Sequence, residues 1–205
     1  GDIDTLLRND DGSAYRERIV LLQQVAYACR ENPDDPKSPI RKNPVDGTWA
    51  CGEKDIGTIE NYDQLGFGVW GPSGRYTSIN GQIMPRFTGA VAGRVERWRN
   101  IHAGIRDSVN LQFVRMRPGA DPLSLRSARR HAQWIAQNCT GEPLAQFEIA
   151  SDGLTHAKAI RRTQTILQPG YRSDLLMVFP TAGEYCVIDD SIPAAGSVSG
   201  DAESR

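Results

Sequence analysis

Residues 145 to 188 read AQFEIASDGLTHAKAIRRTQTILQPGYRSDLLMVFPTAGEYCVI. Apolar and β-branched stretches of a few residues, 145–150, 163–167, 173–179 and 184–188, are punctuated by Ser151-Asp152-Gly153 and Pro169-Gly170. Runs this short fall below the roughly 10–12 residues a helix needs. Glycine supplies the positive φ of a tight turn and proline presets the residue before it, so these punctuation marks predict chain reversals between strands. Short strands joined by Gly and Pro turns predict an all-β sandwich or barrel.

The same signal extends toward the N-terminus. Tyr76-Thr77-Ser78-Ile79, then Asn80-Gly81, then Gln82-Ile83-Met84 predicts a hairpin, with Pro85 ending its second strand. Residues 95–113 alternate well enough for two strands, or one bent strand, around Ala103-Gly104, with Arg97 and Arg99 on one face and Trp98 on the other. Asp121-Pro122 opens the one convincing helix, with Leu125, Ala128, Ala132, Ile135 and Ala136 as its apolar stripe and Asn138 as its stop. Residues 18–29 (RIVLLQQVAYAC) predict a buried strand, bent near Gln23-Gln24. Residues 31–48 and 52–75 read as Pro-rich and Gly-rich loops, with Trp49-Ala50-Cys51 as the one ordered anchor between them.

Lys plus Arg number 24 and Asp plus Glu 25, a net charge of −1 that argues against a general polyanion binder. The longest apolar run, Leu175 to Phe179, is far below the roughly 18 residues of a membrane span. The chain begins Gly1-Asp2-Ile3-Asp4 without an apolar leader, as a processed or excised piece of a longer protein would. Residues 1–16 read as an N-terminal linker, 17–190 as one domain, and 191–205 as a second linker or disordered tail.

Candidate chemistry is sparse. The three histidines, His102, His131 and His156, are too far apart for a ligand motif. His102 is expected to be buried and structural, His131 to lie on the helix surface or at a domain contact, and His156 to be exposed. Gly66-Phe67-Gly68-Val69-Trp70-Gly71 lacks the strand and helix of a phosphate loop. Asp34-Asp35 and Asp189-Asp190 read as solvated surface, and no G-x-S-x-G elbow is present. Arg94, Arg97, Arg99 and Arg106 beside Trp98 could form a nucleic-acid face, but Glu96 and Asp107 in the same window favour ion pairs on a sheet. Trp49, Trp70 and Trp98 would make a carbohydrate platform only if coplanar and exposed. Cys29, Cys51, Cys139 and Cys186 have no C-x-x-C spacing, so disulfides in an oxidising compartment or buried thiols are the two readings.

Four blocks in order carry a family resemblance: Ile79-Asn80-Gly81-Gln82 with Pro85; Glu96-Arg97-Trp98-Arg99-Asn100-Ile101; Ile149-Ala150-Ser151-Asp152-Gly153; and Leu167-Gln168-Pro169-Gly170-Tyr171-Arg172-Ser173-Asp174. Together they resemble the middle, second cupredoxin domain of a bacterial three-domain, laccase-like multicopper oxidase. The resemblance implies a Greek-key β-sandwich or barrel over residues 17–190, here with one inserted helix. It marks Asn80, Gly81, Asp152, Gly153, Pro169, Gly170, Arg172 and Asp174 as fold-signature residues. Arg172 and Asp174, two apart, would share a face and pair with each other or with neighbouring loops.

In that family the copper ligands lie in H-x-H, H-x-x-H-x-H and H-C-H blocks of the first and last domains. This chain has none of these blocks, and it carries His102 where an asparagine is common. The resemblance therefore implies a domain without copper, catalytically inert alone, in a parent that oxidises a substrate and reduces oxygen to water. Its partners would be the flanking cupredoxin domains, with no nucleic acid and no membrane span, in the periplasm or outside the cell. Residues 52–75 would be the stretch that approaches the substrate. The alternative is a domain of a copper-less cupredoxin-like structural or interaction protein of the bacterial envelope. Four cysteines allow three pairings. Position favours Cys29 with Cys51, closing the Pro-rich loop, and Cys139 with Cys186, fastening the helix end to the last strand.

Overall fold

Val20, Leu22, Trp98, Leu175 and Met177 occupy alternate positions on three neighbouring strands, and each is at most 2% exposed. Alternation places them on one face of a sheet, and a second sheet closes over them. The computed structural model describes residues 2–60, 69–104, 107–120 and 128–190. Its large sheet has the strand order β4-β1-β5-β10-β7-β8. In residues these are β1 Arg16–Gln23, β4 Ser78–Ile79, β5 Val95–His102, β7 Gln146–Ser151, β8 Leu154–Arg162 and β10 Arg172–Val178. A three-stranded sheet, β11-β6-β9, is built from Tyr185–Asp189, Val109–Arg115 and Thr165–Leu167. All pairings in the two sheets are antiparallel except β1 with β5, where Arg16–Leu22 runs parallel to Glu96–His102.

The core lies between the two sheets. Val109, Leu111 and Phe113 of β6 and Leu167 of β9 meet the large sheet there. Trp98 sits edge-on to Phe113 at 5.0 Å and to Phe87 at 5.1 Å. Such aromatic pairs add about 0.5–1.5 kcal/mol each beyond the area they bury.

The segment expected as loop is better ordered than its composition suggests. Ala26, Ala28, Trp49 and Trp70 form a second small core. It is framed by the two-stranded ribbon β2 Tyr27–Ala28 with β3 Thr58–Ile59 and by the short helix α2 Trp70–Ser73. Residues 1–16, read as a linker, contain the helix α1 Asp2–Leu6 and an antiparallel bridge between Arg8 and Ala14.

The inserted helix α3 runs Ala128–Asn138, and Asp121, Pro122 and Leu125 lie outside the described residues. Its expected stripe is corrected: Ile135 is buried, but Ala132 and Ala136 are exposed. The buried line is instead His131, Ile135 and Asn138, with Trp134 half-buried. Asn138 is accommodated because its amide donates to Trp134 O (2.9 Å) and accepts from Arg117. The hairpin at Asn80-Gly81 keeps its turn but not its second strand: Gln82 makes only a single bridge to Ile79, and Met84 has φ 51°. Residues 191–205 lie outside the described residues.

Candidate functional site

Any site must be built from the few side chains with chemistry, so their placement decides what the domain can do. His102 ends β5 and is fully buried. Its Nδ1 accepts the Gly104 N–H at 2.9 Å, which leaves the proton on Nε2, and Nε2 donates to the Asp107 carbonyl at 2.7 Å. Burial pushes the imidazole below its ordinary pKa, with the bond to Asp107 O opposing. Gly104 is required here because a Cβ would run into the His102 ring and the Gln24 amide.

His131 is corrected from the surface to the interior, where it is 8% exposed and meets Tyr76 edge-on at 5.5 Å. His156 is half-buried, 3.8 Å from Glu148. The structure joins Cys29 to Cys51 and Cys139 to Cys186 as disulfides, with Cα separations of 5.3 and 5.9 Å. No thiolate is therefore offered by the four cysteines. Among the described residues, no group of three or more His, Cys, Asp or Glu side chains could hold a metal ion. His102 uses both ring nitrogens, the cysteines are bridged and no histidine sits in a cluster of donors, so the described residues do not fit a resident copper.

Two of the signature turns meet at the His102 end of the sandwich. Pro169-Gly170 forms a turn closed by Tyr171 N–H to Gln168 O (2.9 Å), with Gly170 at φ 88°. Gly170 N–H donates to His102 O and His102 N–H to Tyr171 O, both at 2.9 Å. Beside it, Asp152 (φ 49°) and Gly153 (φ 84°) reverse the chain between β7 and β8. Asp152 Oδ1 accepts the Arg172 N–H at 3.0 Å, and the two charged groups lie 3.7 Å apart. Arg172 and Asp174 thus choose neighbours rather than each other.

Asp174 instead joins an arginine hub on the outer face of the large sheet. Arg97, with only 6% of its side chain exposed, donates Nε to Asp174 at 3.1 Å and Nη1 to Glu17 at 3.0 Å, and it also reaches Asp4 of α1. Arg99 lies 3.6 Å from Asp174 and 3.7 Å from Glu17. Burial pulls the Arg97 pKa down, but the hydrogen bonds it donates to Asp4 and Asp174, with the charges of Asp174 and Glu17, outweigh this and the net shift is upward; Asp4 is lowered in turn, chiefly by Arg97. Arg94 is 3.9 Å from Asp11, and Arg106 lies outside the described residues. Ion pairing on a sheet face accounts for Arg97 and Arg99, with Asp4, Glu17 and Asp174 as carboxylates that the Arg97 window did not reveal. Glu96 pairs elsewhere, with Arg18 at 3.0 Å.

The remaining candidates fall into place. Trp49, Trp70 and Trp98 are 6%, 2% and 2% exposed, so they form no binding platform. Asp189 and Asp190 are structural acceptors for Asn110 N–H (2.8 Å) and the Gln112 amide (2.7 Å). Of the 52–75 stretch and the Gly66–Gly71 motif, residues 61–68 lie outside the described residues. Among the described residues, no helix is long and apolar enough to cross a membrane.

No protein-family model matches the chain, and no curated protein sequence matches it. Solved structures do. A variant of the McoA multicopper oxidase from the hyperthermophile Aquifex aeolicus superposes with a TM-score of 0.50 at 12% identity, over 93% of this chain and 30% of that one. A laccase-like multicopper oxidase, CueO, from Ochrobactrum sp. gives 0.47 at 14% identity, over 93% and 29%. The blue copper oxidase of Nitrosomonas europaea gives 0.43 at 15% identity, over 85% and 36%. This chain spans about a third of the length of these proteins. The fold is a cupredoxin-like β-sandwich, of the size of one domain of the Aquifex aeolicus oxidase.

Proposed function

We infer that the chain is the copper-free middle domain of a bacterial multicopper oxidase, the spacer that holds two copper-bearing domains in register. The observation that carries this reading is the superposition of nearly the whole chain on 30% of the Aquifex aeolicus enzyme. The donor chemistry supports it, since His102 uses both ring nitrogens and every cysteine is bridged. The domain is read as 17–190 between linkers, in a parent that oxidises a substrate and reduces oxygen to water. Two disulfides support a periplasmic or secreted location.

The test has two parts. The coding sequence on either side should encode H-x-H and H-C-H blocks, and oxidase activity should require both flanking domains. Purified residues 1–205, loaded with copper and desalted, should retain less than stoichiometric metal. One tightly held copper per chain, lost in His102→Ala, would overturn the copper-free assignment. Flanking sequence without those blocks would instead identify a structural protein of the envelope.

A further inference from the structure

Where the chain passes from β4 to β5, a cavity of about 610 Å³ opens between the two sheets. It is lined by Ile83, Met84 and Phe87 of the 80–94 segment, by Trp134 and Ile135 of α3 and by the core residue Trp98. Protein interiors are close-packed and rarely leave voids much larger than a water molecule. This volume lies instead within the roughly 300–1,000 Å³ typical of small-molecule sites.

The charges in the wall define what would bind. Arg18 and Glu96 both line the cavity, but they are joined by two hydrogen bonds of 3.0 Å. Trp98 Nε1 donates to the same Glu96 carboxylate at 3.1 Å, so the ion pair is satisfied without a ligand. The exposed Arg86 and Glu184, also in the lining, pair at 3.6 Å. The remaining lining carboxylate, Asp189, accepts the Asn110 N–H at 2.8 Å, so a charged ligand would be desolvated against groups that already have partners, whereas an uncharged one loses little. Among the lining rings, Tyr76, Phe87, Trp134 and Tyr185 are only half-buried and supply faces and edges for an aromatic ligand.

Backbone strain lies on the same wall. Met84 holds φ 51°, a left-handed conformation that is unusual for a side chain with no local polar group to offset it. Strain of this kind concentrates at ligand clamps and costs about 1–3 kcal/mol where it occurs. We propose that the cleft between the 80–94 segment and α3 is a binding site for an uncharged, ring-bearing apolar small molecule. It stands apart from the copper-oxidase reading and does not depend on it.

The test is a fluorescence titration of the 205-residue chain with N-phenyl-1-naphthylamine, an uncharged aromatic probe. Saturable binding of one probe per chain in the micromolar range is expected. Ile83 is 47% exposed at the rim, so Ile83→Asp should fold normally yet weaken binding at least tenfold. Met84→Gly removes part of the wall while accepting the same φ, so it should weaken binding with the melting temperature no lower than in the parent. Ile56→Asp, at a residue 90% exposed outside the cavity, should leave the affinity within twofold. Unsaturable binding, binding unchanged in both cavity variants, or an equal loss in Ile56→Asp would each overturn the site.

Discussion

Asn80 stands beside Leu21 as the residue of a further strand would. Its Oδ1 accepts the Leu21 N–H at 2.8 Å and its own N–H donates to Leu21 O at 2.9 Å, while Nδ2 donates to Ile19 O at 2.8 Å. A single side chain thus satisfies part of the β1 edge beyond the two-residue strand β4. At φ 53°, followed by Gly81 at φ 76°, it also makes the turn.

Asn80→Ala should cost about 1–2 kcal/mol, from two lost backbone hydrogen bonds together with a left-handed site that alanine disfavours. Asn80→Gly keeps the φ and loses only the bonds, so it should fall between the parent and alanine. Urea unfolding ranks the three, and amide exchange at Leu21 should quicken in both variants.

The arginine hub should respond unevenly to losing its carboxylates. Asp174→Asn weakens the charge-assisted contacts of a nearly buried guanidinium and should cost about 1–3 kcal/mol. Asp4 is exposed, so Asp4→Asn should leave the unfolding midpoint unchanged. Equal effects in denaturant titrations would mean that Arg97 is not held mainly by β10.

His102 should make stability fall on the acid side. Its folded pKa lies below the ordinary 6.5, so below that pH the unfolded chain takes up a proton that the buried neutral ring refuses. This contribution is constant above about pH 6.5 and declines beneath it, by at most about 1.4 kcal/mol per pH unit, until the folded ring protonates. Subtracting the stability profile of His102→Asn from that of the parent isolates the slope. A flat difference between pH 5 and 7 would contradict it.

The Cys29–Cys51 bridge closes a separation of 22 residues around a Pro-rich stretch, so Cys29→Ser with Cys51→Ser should cost about 3 kcal/mol by chain entropy. Non-reducing peptide mapping of protein made in an oxidising compartment should recover Cys29 linked to Cys51 and Cys139 to Cys186. Four alkylatable thiols without reductant would exclude both bridges.

On α3, Ile135→Ala should cost about 2–4 kcal/mol and Ala136→Ser less than about 0.5 kcal/mol, because only the first side chain is buried. Thermal and urea unfolding measure both.

Turn chemistry made the strand-rich fold readable in advance. Asp152-Gly153, Pro169-Gly170 and Asn80-Gly81 all reverse the chain where their φ preferences say they should. What hydropathy hid was any element without an apolar buried face. β8 passed unnoticed because Thr155, Lys158 and Arg161 of this edge strand face solvent, and its ladder bonds to β7 leave no apolar alternation. The α3 stripe went astray for a related reason, since the burial of His131 and Asn138 depends on partners distant in sequence. Likewise, Arg97 could be placed on a sheet face from its spacing, but Asp174 becomes its partner only through strand order and Asp4 only through the position of α1.

The parallel pairing of β1 with β5 also sets an order of assembly. As the chain is synthesised, β1 emerges first and meets only the two-residue β4 before its long ladder arrives with Glu96–His102, and β5 in turn awaits β10. Contacts so far apart close slowly. The 26–75 region has no such wait: Cys29 and Cys51, Arg30 and Glu60, and Trp49 and Trp70 all lie within it. Its bridge can be sealed while the large sheet does not yet exist. Cys139 must wait for Cys186 on the final strand, so the second bridge latches only a finished sandwich and records that the last strand has docked.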